Sequence, residues 1–435
     1  MKTLIKNARV VDPLNNINEK MDVEIKGDCF TTVKKDMKDS GDNYDNILDC
    51  EGKILSPGLI DMHTHLREPG FEEKETIKTG CEAAAAGGFT VVACMPNTDP
   101  AVDNPATVQY IKSRAEDAVI DVLPVGSITK EREGKELSEI GFLAKAGVKA
   151  LSDDGNPVMD SEVMRRAMEY ADDFDLTIID HCEDLTLARD GVMHEGYFST
   201  ILGLKPIPPA AEEVMIARDI ILSELTGTAL HIAHLSTEEG LLRLERAKEK
   251  GLKVTAEVTP HHLLLTDADV KGYDTNTKVN PPLRSKDDVE ALVEGLKNGI
   301  IDVIATDHAP HTYEDKLGEY NFAANGISGL ETALSLVYTN LISEDLISWP
   351  DLVKLMYVNP AKILNLDVNG ISSGAEADLV IFDPEKEWVV EPKKFKSMGK
   401  NTPFAGWTLS GRPILTMKNG RIVYDNRRGQ NEIIY

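Results

Sequence analysis

Histidine side chains are paired along this chain at spacings that suit a metal site. Eight of the ten histidines have another histidine within three residues: His63/His65, His231/His234, His261/His262 and His308/His311. Imidazole nitrogens and carboxylate oxygens are ligands that zinc takes from proteins. On a strand, side chains two residues apart lie on the same face, so the imidazoles of His63 and His65 would converge on one ion.

Five apolar runs end in residues that could hold a metal. They are GLIDM before His63, VKALS before Asp153 and Asp154, TIID before His181, ALHIA before His234, and DVIAT before Asp307. Any one of these residues could be an ordinary polar group at the end of a strand. Parallel strands bring their C-terminal ends to one edge, where barrel enzymes place their chemistry. The five ends together therefore predict a metal site at that edge.

The elements that would position these residues alternate between strand and helix. Eight strands are predicted over residues 59–63, 90–95, 121–125, 148–152, 177–180, 229–234, 253–258 and 302–305. Helix patterns fill the intervals, clearest over 74–86, 159–171, 209–225, 238–249 and 286–298. Alternation of this kind indicates parallel strands. Eight such units are typical of a closed (β/α)₈ TIM-type barrel.

Both ends of the chain read as β-structure instead. Short strands are predicted over 4–10, 23–25 and 47–55, and again over 378–382, 407–409, 414–417 and 421–424. Asn419-Gly420 joins the last two, and Asn-Gly between alternating runs is a strong hairpin signal. Neither end alone could bury a face, so we expect both to form one small β-sandwich domain. The predicted domains are 1–55 and 368–435 for the sandwich and 56–367 for the barrel.

Charge and composition exclude several classes of function. Of 435 residues, 47 are Lys or Arg and 73 are Asp or Glu, which gives a formal charge of −26. Such a chain repels phosphate backbones and anionic lipid, so no nucleic acid and no membrane is expected as a partner. The five cysteines contain no CxxC pair, and the first residues lack a signal-peptide pattern. We therefore expect reduced thiols and a cytoplasmic location.

Longer motifs extend this pattern to most of the chain. They are PGLIDMHTHLREPG (57–70), MPNTDP, SDDGNPVMD, DHCED, HIAHLST, VNPPLR, ATDHAPH, GAEADLVIFDP and TMKNGRIVYD. Together they resemble the class I dihydroorotases of the amidohydrolase superfamily. The resemblance implies a (β/α)₈ barrel with a sandwich domain, and a metal-dependent cyclic amidohydrolase.

The resemblance also implies a centre of two Zn²⁺ ions per subunit. His63 and His65 match the ligands of the more buried ion, and His181 and His234 match those of the second. Asp307 matches an aspartate that both touches metal and moves the catalytic proton. Asp154 matches the bridging position, where many relatives carry a carbamylated lysine. Lys149, earlier on the same predicted strand, keeps that lysine alternative open.

Substrate binding is implied for a second set of residues. The set comprises His65, Arg67, Asn97, Asn280, His311 and the backbone at Asn325 and Gly326. Arg67 offers a planar fork suited to a carboxylate, which explains how an acidic chain would bind a small anionic substrate. The plainer alternatives are a surface ion pair for Arg67 and turn formation for Asn97 and Asn280.

The implied reaction is the reversible interconversion of (S)-dihydroorotate and N-carbamoyl-L-aspartate in pyrimidine (UMP) biosynthesis. The alternatives are an allantoinase or hydantoinase, and a scaffold relative without catalysis. The resemblance further implies a homo-oligomer, a dimer by expectation, and association with aspartate transcarbamoylase as an open possibility.

Overall fold

A computed structural model describes residues 1–37 and 44–435 of the chain. The strands are β1 Lys2–Asp12, β2 Ile17–Lys26, β3 Cys29–Lys34, β4 Asn46–Asp49, β5 Ile54–Pro57, β6 Leu59–Thr64, β7 Phe89–Cys94, β8 Asp121–Pro124, β9 Ala150–Leu151, β10 Thr177–Asp180, β11 Met193–His194, β12 Pro206–Ile207, β13 Leu230–Ile232, β14 Val254–Val258, β15 Val303–Ile304, β16 Leu379–Val389, β17 Thr408–Lys418, β18 Arg421–Asp425 and β19 Glu432–Ile433.

Helices occupy the intervals between barrel strands and the segment before β16. They are α1 Ile77–Gly87, α2 Pro105–Ala115, α3 Ile140–Ala146, α4 Ser161–Asp172, α5 Leu185–Ala188, α6 Tyr197–Leu202, α7 Ala210–Thr226, α8 Glu238–Glu249, α9 Pro260–Leu264, α10 Lys286–Lys297, α11 Tyr313–Lys316, α12 Ala333–Val337, α13 Trp349–Val353 and α14 Asn359–Ile363. Within the described ranges, no helix is both long and apolar enough to cross a lipid bilayer.

The barrel is closed by parallel pairing around its whole circumference. In the described part of the chain its eight strands are β6 to β10 and β13 to β15. A bridge between Gly126 and Leu151 joins β8 to β9, and one between Thr64 and His308 joins β6 to the end of β15. Each strand agrees with its sequence prediction to within two residues. The (β/α)₈ architecture predicted from the sequence is confirmed.

Both chain ends contribute to a second sheet. Among the residues described, its order is β19-β18-β17-β16-β5-β1-β2-β3, and β4 also pairs with β1. Its buried side chains form a core separate from the barrel's, with Ile5, Val10, Leu55, Leu379 and Leu415 among them. This is the β-sandwich built from both ends. β5 continues to Pro57, directly before the first barrel strand, and the domain limits near 55 and 368 stay a prediction.

Several strands predicted at the chain ends have different bounds in the structure. The run 47–55 forms β4 and β5, separated by a turn, and both pair in parallel with β1. The runs 407–409 and 414–417 belong to the single strand β17, which pairs with β16 through register shifts. The hairpin at Asn419 and Gly420 is present, with φ values of 48° and 69°.

Candidate active site

The predicted site residues come together at the C-terminal mouth of the barrel. A cavity of about 200 Å³ opens there. The lining includes His65, Arg67, Asn97, Asp154, His181, His234, Asn280, Asp307, His311, Asn325 and Gly326. His63 lies beneath this lining and is fully buried. His63 lies near the end of β6, and each of the other residues follows a barrel strand or lies in a loop above one.

Asp154 joins two groups of metal-ligating atoms. One group is His63, His65 and Asp154, and the other is Asp154, His181 and His234, with the ligand atoms of each group within 4.8 Å of one another. Asp154 Oδ1 lies 3.2 Å from His63 Nε2 and 3.8 Å from His234 Nε2, and Oδ2 lies 3.6 Å from His65 Nε2. This carboxylate therefore stands where one group would bridge two ions.

Asp307 faces the first group from the end of β15. Its Oδ1 lies 2.8 Å from His65 Nε2 and 3.5 Å from His63 Nε2. Burial raises the pKa of this carboxyl, but the charges of His63 and His65 outweigh burial and hold the pKa well below its usual value. Asp307 is therefore an ionised carboxylate at neutral pH, able to accept a proton.

Outer partners fix which nitrogen each histidine presents to the centre. Glu257 on β14 accepts from His63 Nδ1, and Asn97 Oδ1 accepts from His65 Nδ1 at 2.9 Å. With Nδ1 as the donor, Nε2 of a neutral His63 or His65 carries a lone pair directed at carboxylate oxygens. On His181 the outer nitrogen is Nε2, which lies 3.4 Å from Glu183 Oε2.

An unpartnered buried nitrogen shows that a cation fits this cluster. Among the described side chains of the cluster, His63 Nε2, which faces Asp154, is buried without a hydrogen-bond partner. Burial lowers the pKa of His63, but Glu257, Asp154 and Asp307 raise it well above its usual value. A buried polar atom without a partner is costly, and the surrounding carboxylates favour positive charge. Coordination of a divalent metal satisfies both conditions, since metal-ligating histidines use one nitrogen for the ion and the other for an outer acceptor.

Arg67 and His311 form the wall of the cavity beside this cluster. Arg67 Nε donates to Pro310 O at 3.2 Å, and its Nη2 lies 3.3 Å from His311 Nε2. Burial lowers the pKa of Arg67 to about 10, so the guanidinium stays charged at neutral pH. His311 Nε2 donates to Asn325 O at 2.8 Å.

Gly326 lines the cavity beside His311 in a conformation that requires glycine. Its φ is +138°, and an added Cβ would lie 2.6 Å from Ala309 Cβ and 2.8 Å from Ala309 O. The loop can therefore approach the segment after β15 closely only without a side chain at this position.

Lys149 does not reach the cluster. It lines a different cavity, of about 710 Å³, with residues from the starts of barrel strands, among them Thr177 and Val254. Asp154 lies past the other end of the same strand. The structure therefore places Asp154, and not Lys149, beside the histidines.

Two glutamates of the site were missed in the sequence. Glu257 also accepts from His231 Nε2 at 3.2 Å, and Glu183 accepts from Asn280 Nδ2 at 3.1 Å. A lone carboxylate inside the apolar strand VTAEV is the signal that could have identified Glu257. Asn280, predicted to bind substrate, thus lines the cavity while it also contacts Glu183.

Comparison with known sequences identifies close relatives over the whole chain. A family model described as dihydro-orotase-like matches residues 52–240. A dihydroorotase of Syntrophus aciditrophicus is 51% identical over 425 residues, 98% of this chain and 99% of that one. A dihydroorotase of Caldanaerobacter subterraneus is 53% identical over 429 residues, 98% of each chain.

Solved structures with the same fold are also found. An L-hydantoinase (dihydropyrimidinase) from Arthrobacter aurescens has a TM-score of 0.88 and 25% identity, and covers 100% of this chain and 97% of that one. A dihydropyrimidinase from Brevibacillus agri has a TM-score of 0.86 at 24% identity, over 98% and 96% of the two chains. The second likeness supports the fold alone.

Proposed function

This chain belongs to the dihydroorotase family, and from that premise we propose that it interconverts dihydroorotate and N-carbamoyl-aspartate at the barrel mouth. The observation that carries the proposal is a charged, partly buried arginine beside a cluster of residues that could hold a divalent metal. Dihydroorotate has a carboxylate for Arg67 and a ring amide for the metal cluster.

We propose that the cluster holds two zinc ions. His63 and His65 would hold the first, His181 and His234 the second, and Asp154 would bridge them, with Asp307 touching the centre. When bound, the ions supply Lewis-acid chemistry that makes water nucleophilic at neutral pH. The unpartnered Nε2 of His63 supports this assignment.

Asp307 is proposed to move the proton. Ring opening adds water across the amide: oxygen bonds to the carbonyl carbon, the C–N bond breaks, and a proton is transferred to the departing nitrogen. As an ionised carboxylate at the mouth of the cavity, Asp307 can accept the proton of water and deliver it to that nitrogen. In the reverse direction the same carboxyl takes the proton from the ureido nitrogen as the ring closes.

The remaining residues are proposed to hold and orient the substrate. Arg67 pairs with its carboxylate in a charge-assisted contact, to which His311 and Asn97 contribute. Asn280 and the backbone at Asn325 and Gly326 face the ring. His65 would contact the substrate from the side of the cavity that carries the proposed metal ligands.

Hydantoinase and allantoinase activities are the less favoured alternatives. The hydantoinase structure from Arthrobacter aurescens shares the fold of this chain, but its sequence identity of 25% is about half the 51% of the dihydroorotase from Syntrophus aciditrophicus. Sequence relatives at about 50% identity over nearly the whole chain therefore favour dihydroorotate as the substrate.

We also propose that the protein acts in the cytoplasm as a dimer. All five cysteines are described and free, as expected in a reducing compartment. One face of α7 exposes Val214, Ile221 and Leu225, at 44%, 63% and 64%, which suits contact with a second copy. Association with aspartate transcarbamoylase is a further proposal that rests on the family resemblance. Light scattering of the purified chain, alone and with that enzyme, would measure both.

The test of the main proposal combines metal analysis with substrate choice. We expect about two zinc ions per chain, and turnover of dihydroorotate but not of hydantoin or allantoin, followed by ring absorbance. Arg67→Met should lower kcat/KM for dihydroorotate by about 30- to 1,000-fold without loss of metal, and Arg67→Lys should lie between.

Asp307→Asn separates chemistry from binding. We expect this variant to lose turnover while it still binds N-carbamoyl-aspartate, since Asn cannot carry the proton. A wild-type chain that prefers hydantoin, or an Arg67→Met variant that loses its metal, would contradict these assignments.

A further inference from the structure

A segment of the sandwich domain packs against the wall of the substrate cavity and places a buried asparagine there. The segment lies between β16 and β17, and Asn401 within it is 4% exposed. Its Nδ2 donates to Ala309 O and to Gly326 O, each at 3.0 Å. Its Oδ1 accepts from His311 N at 2.9 Å and from Ser328 Oγ at 3.0 Å.

The amide of Asn401 thus uses its full hydrogen-bonding capacity. A primary amide has two N–H donors and an oxygen with two lone pairs, and each has a described partner here. The partners lie on two different segments, the one that follows β15 and the loop around Gly326. The side chain therefore adds to the contacts between two adjoining walls of the cavity, one carrying His311 and the other Asn325 and Gly326, which His311 also joins through Asn325 O.

We infer that Asn401 is a positioning residue that sets the separation of these two walls and hence substrate affinity. The inference rests on the proposed function, because it concerns the same cavity. Asn401 does not line the cavity itself; the substrate groups that it positions are His311 and the backbone at Gly326. Buried bonds in a fully satisfied network hold geometry tightly, which is what a substrate clamp requires.

Other contacts hold the segment in place without the Asn401 side chain. Glu331 accepts from Lys396 N at 2.6 Å, and Glu75 accepts from Met398 N at 3.1 Å. Ser328 N donates to the backbone oxygen of Asn401 at 2.8 Å. Substitution of the side chain therefore removes its four hydrogen bonds to the two walls, while the segment stays docked and the walls still meet through Ala309 N, which donates to Ile327 O at 2.9 Å.

The test is steady-state kinetics of the metal-loaded enzyme with dihydroorotate. For Asn401→Ala we expect KM to rise about 10- to 100-fold and kcat to change less than about 3-fold, as for loss of binding shared by ground and transition states. Metal content should equal that of the wild type, since Asn401 contacts none of the proposed ligands.

Thr402→Val is the matched control. Thr402 is the next residue, is 2% exposed, and its hydroxyl accepts only from Phe404 N in the described structure, at 3.3 Å. It perturbs the same buried segment without touching the hydrogen bonds of Asn401, so KM should stay within about 2-fold of the wild type. Asn401→Asp keeps the acceptors but loses both donors, and should raise KM as well; it serves if Asn401→Ala does not fold.

The outcomes separate this inference from the proposed function. A wild-type chain that does not turn over dihydroorotate overturns the proposed function, and the inference falls with it. An active wild type whose KM is unchanged by either Asn401 substitution, or is raised equally by Thr402→Val, overturns the inference alone. A fall in kcat with loss of metal would also overturn it, since Asn401 would then support the centre and not the substrate.

Discussion

Glu257 is a single carboxylate that accepts hydrogen bonds from three histidines at or beside the proposed metal site. Its Oε1 accepts from His63 Nδ1 and, at 3.2 Å, from the backbone N–H of His234, while Oε2 accepts from His231 Nε2. Two proposed ligands from different strands therefore depend on one buried side chain. Acceptors of this kind orient the imidazole and raise its basicity as a ligand.

Glu257→Gln should weaken metal binding without removing a ligand. The amide nitrogen of Gln donates, so one of the histidines loses its acceptor and meets a second donor. We expect metal affinity to fall about 10- to 100-fold, measured by competition with a chelator of known affinity. Thr255→Val is the control: it removes the other partner of His231, at 2.8 Å, but leaves His63 untouched. Equal losses in both variants would mean that His231, and not His63, carries the effect.

At the scale of residues, the sequence predicted which side chains lie at the site better than it predicted the residues that they contact. The strand-end positions of His63, Asp154 and Asp307 are visible in the sequence because chemistry at a barrel mouth follows apolar runs. Their roles stay a prediction. The partnership of Glu257 with His63 spans 194 residues and depends on which strands face each other. No local pattern encodes that pairing, and the same is true of Asn401.

At the scale of elements, the β17–β18 hairpin depends on a glycine that packs against the turn between β2 and β3. Gly420 has φ of +69°, and an added Cβ would lie 2.1 Å from the backbone oxygen of Gly27, in the β2–β3 turn. The first and last parts of the chain thus touch through two glycines.

Gly420→Ala should destabilise the sandwich. We expect a loss of about 2–4 kcal/mol in the free energy of unfolding, because the left-handed conformation and the backbone contact both oppose a side chain. Gly429→Ala is the control, since φ there is +76° but no atom lies within 4 Å of the added Cβ. It should cost only about 1 kcal/mol. Denaturant unfolding measures both free energies. Similar losses in the two variants would show that the backbone at Gly27 moves away from the added side chain at little cost.

Elements were predictable where one pattern ran without interruption. The bounds of α8, predicted as 238–249, agree with the structure because its apolar period is regular and Thr237 caps it. β17 was split in the prediction because Ser410-Gly411-Arg412-Pro413 reads as a turn. In the structure the strand continues through this stretch, since the register shifts against β16 absorb the irregularity.

At the scale of the whole molecule, the barrel and the sandwich are joined by a partly buried acid. Glu331 lies just before α12, and its Oε1 accepts from Lys396 N at 2.6 Å and Ser397 N at 3.1 Å in the segment that carries Asn401. Such a contact between distant parts of the chain has no sequence signal, although the pairing of the two ends could be expected because neither end buries a face alone.

Burial raises the pKa of Glu331 from 4.5 to about 8. Between these values the folded chain keeps a proton on Glu331 that the unfolded chain has released. The free energy of unfolding therefore includes a contribution from Glu331 that is complete below pH 4.5 and is lost as pH rises to about 8.

Glu331→Gln should remove this pH dependence. Gln keeps an oxygen that accepts from both N–H groups but has no proton to lose. The free energy of unfolding of the variant should therefore increase relative to that of the wild type as pH rises. We expect a gain of about 1–4 kcal/mol between pH 5 and pH 8, measured by denaturant unfolding with zinc in excess. Glu387→Gln is the control, because Glu387 lines a surface cavity together with Glu331 but is exposed. A difference between Glu331→Gln and wild type that stays constant from pH 5 to pH 8 would show that Glu331 is ionised in the folded protein.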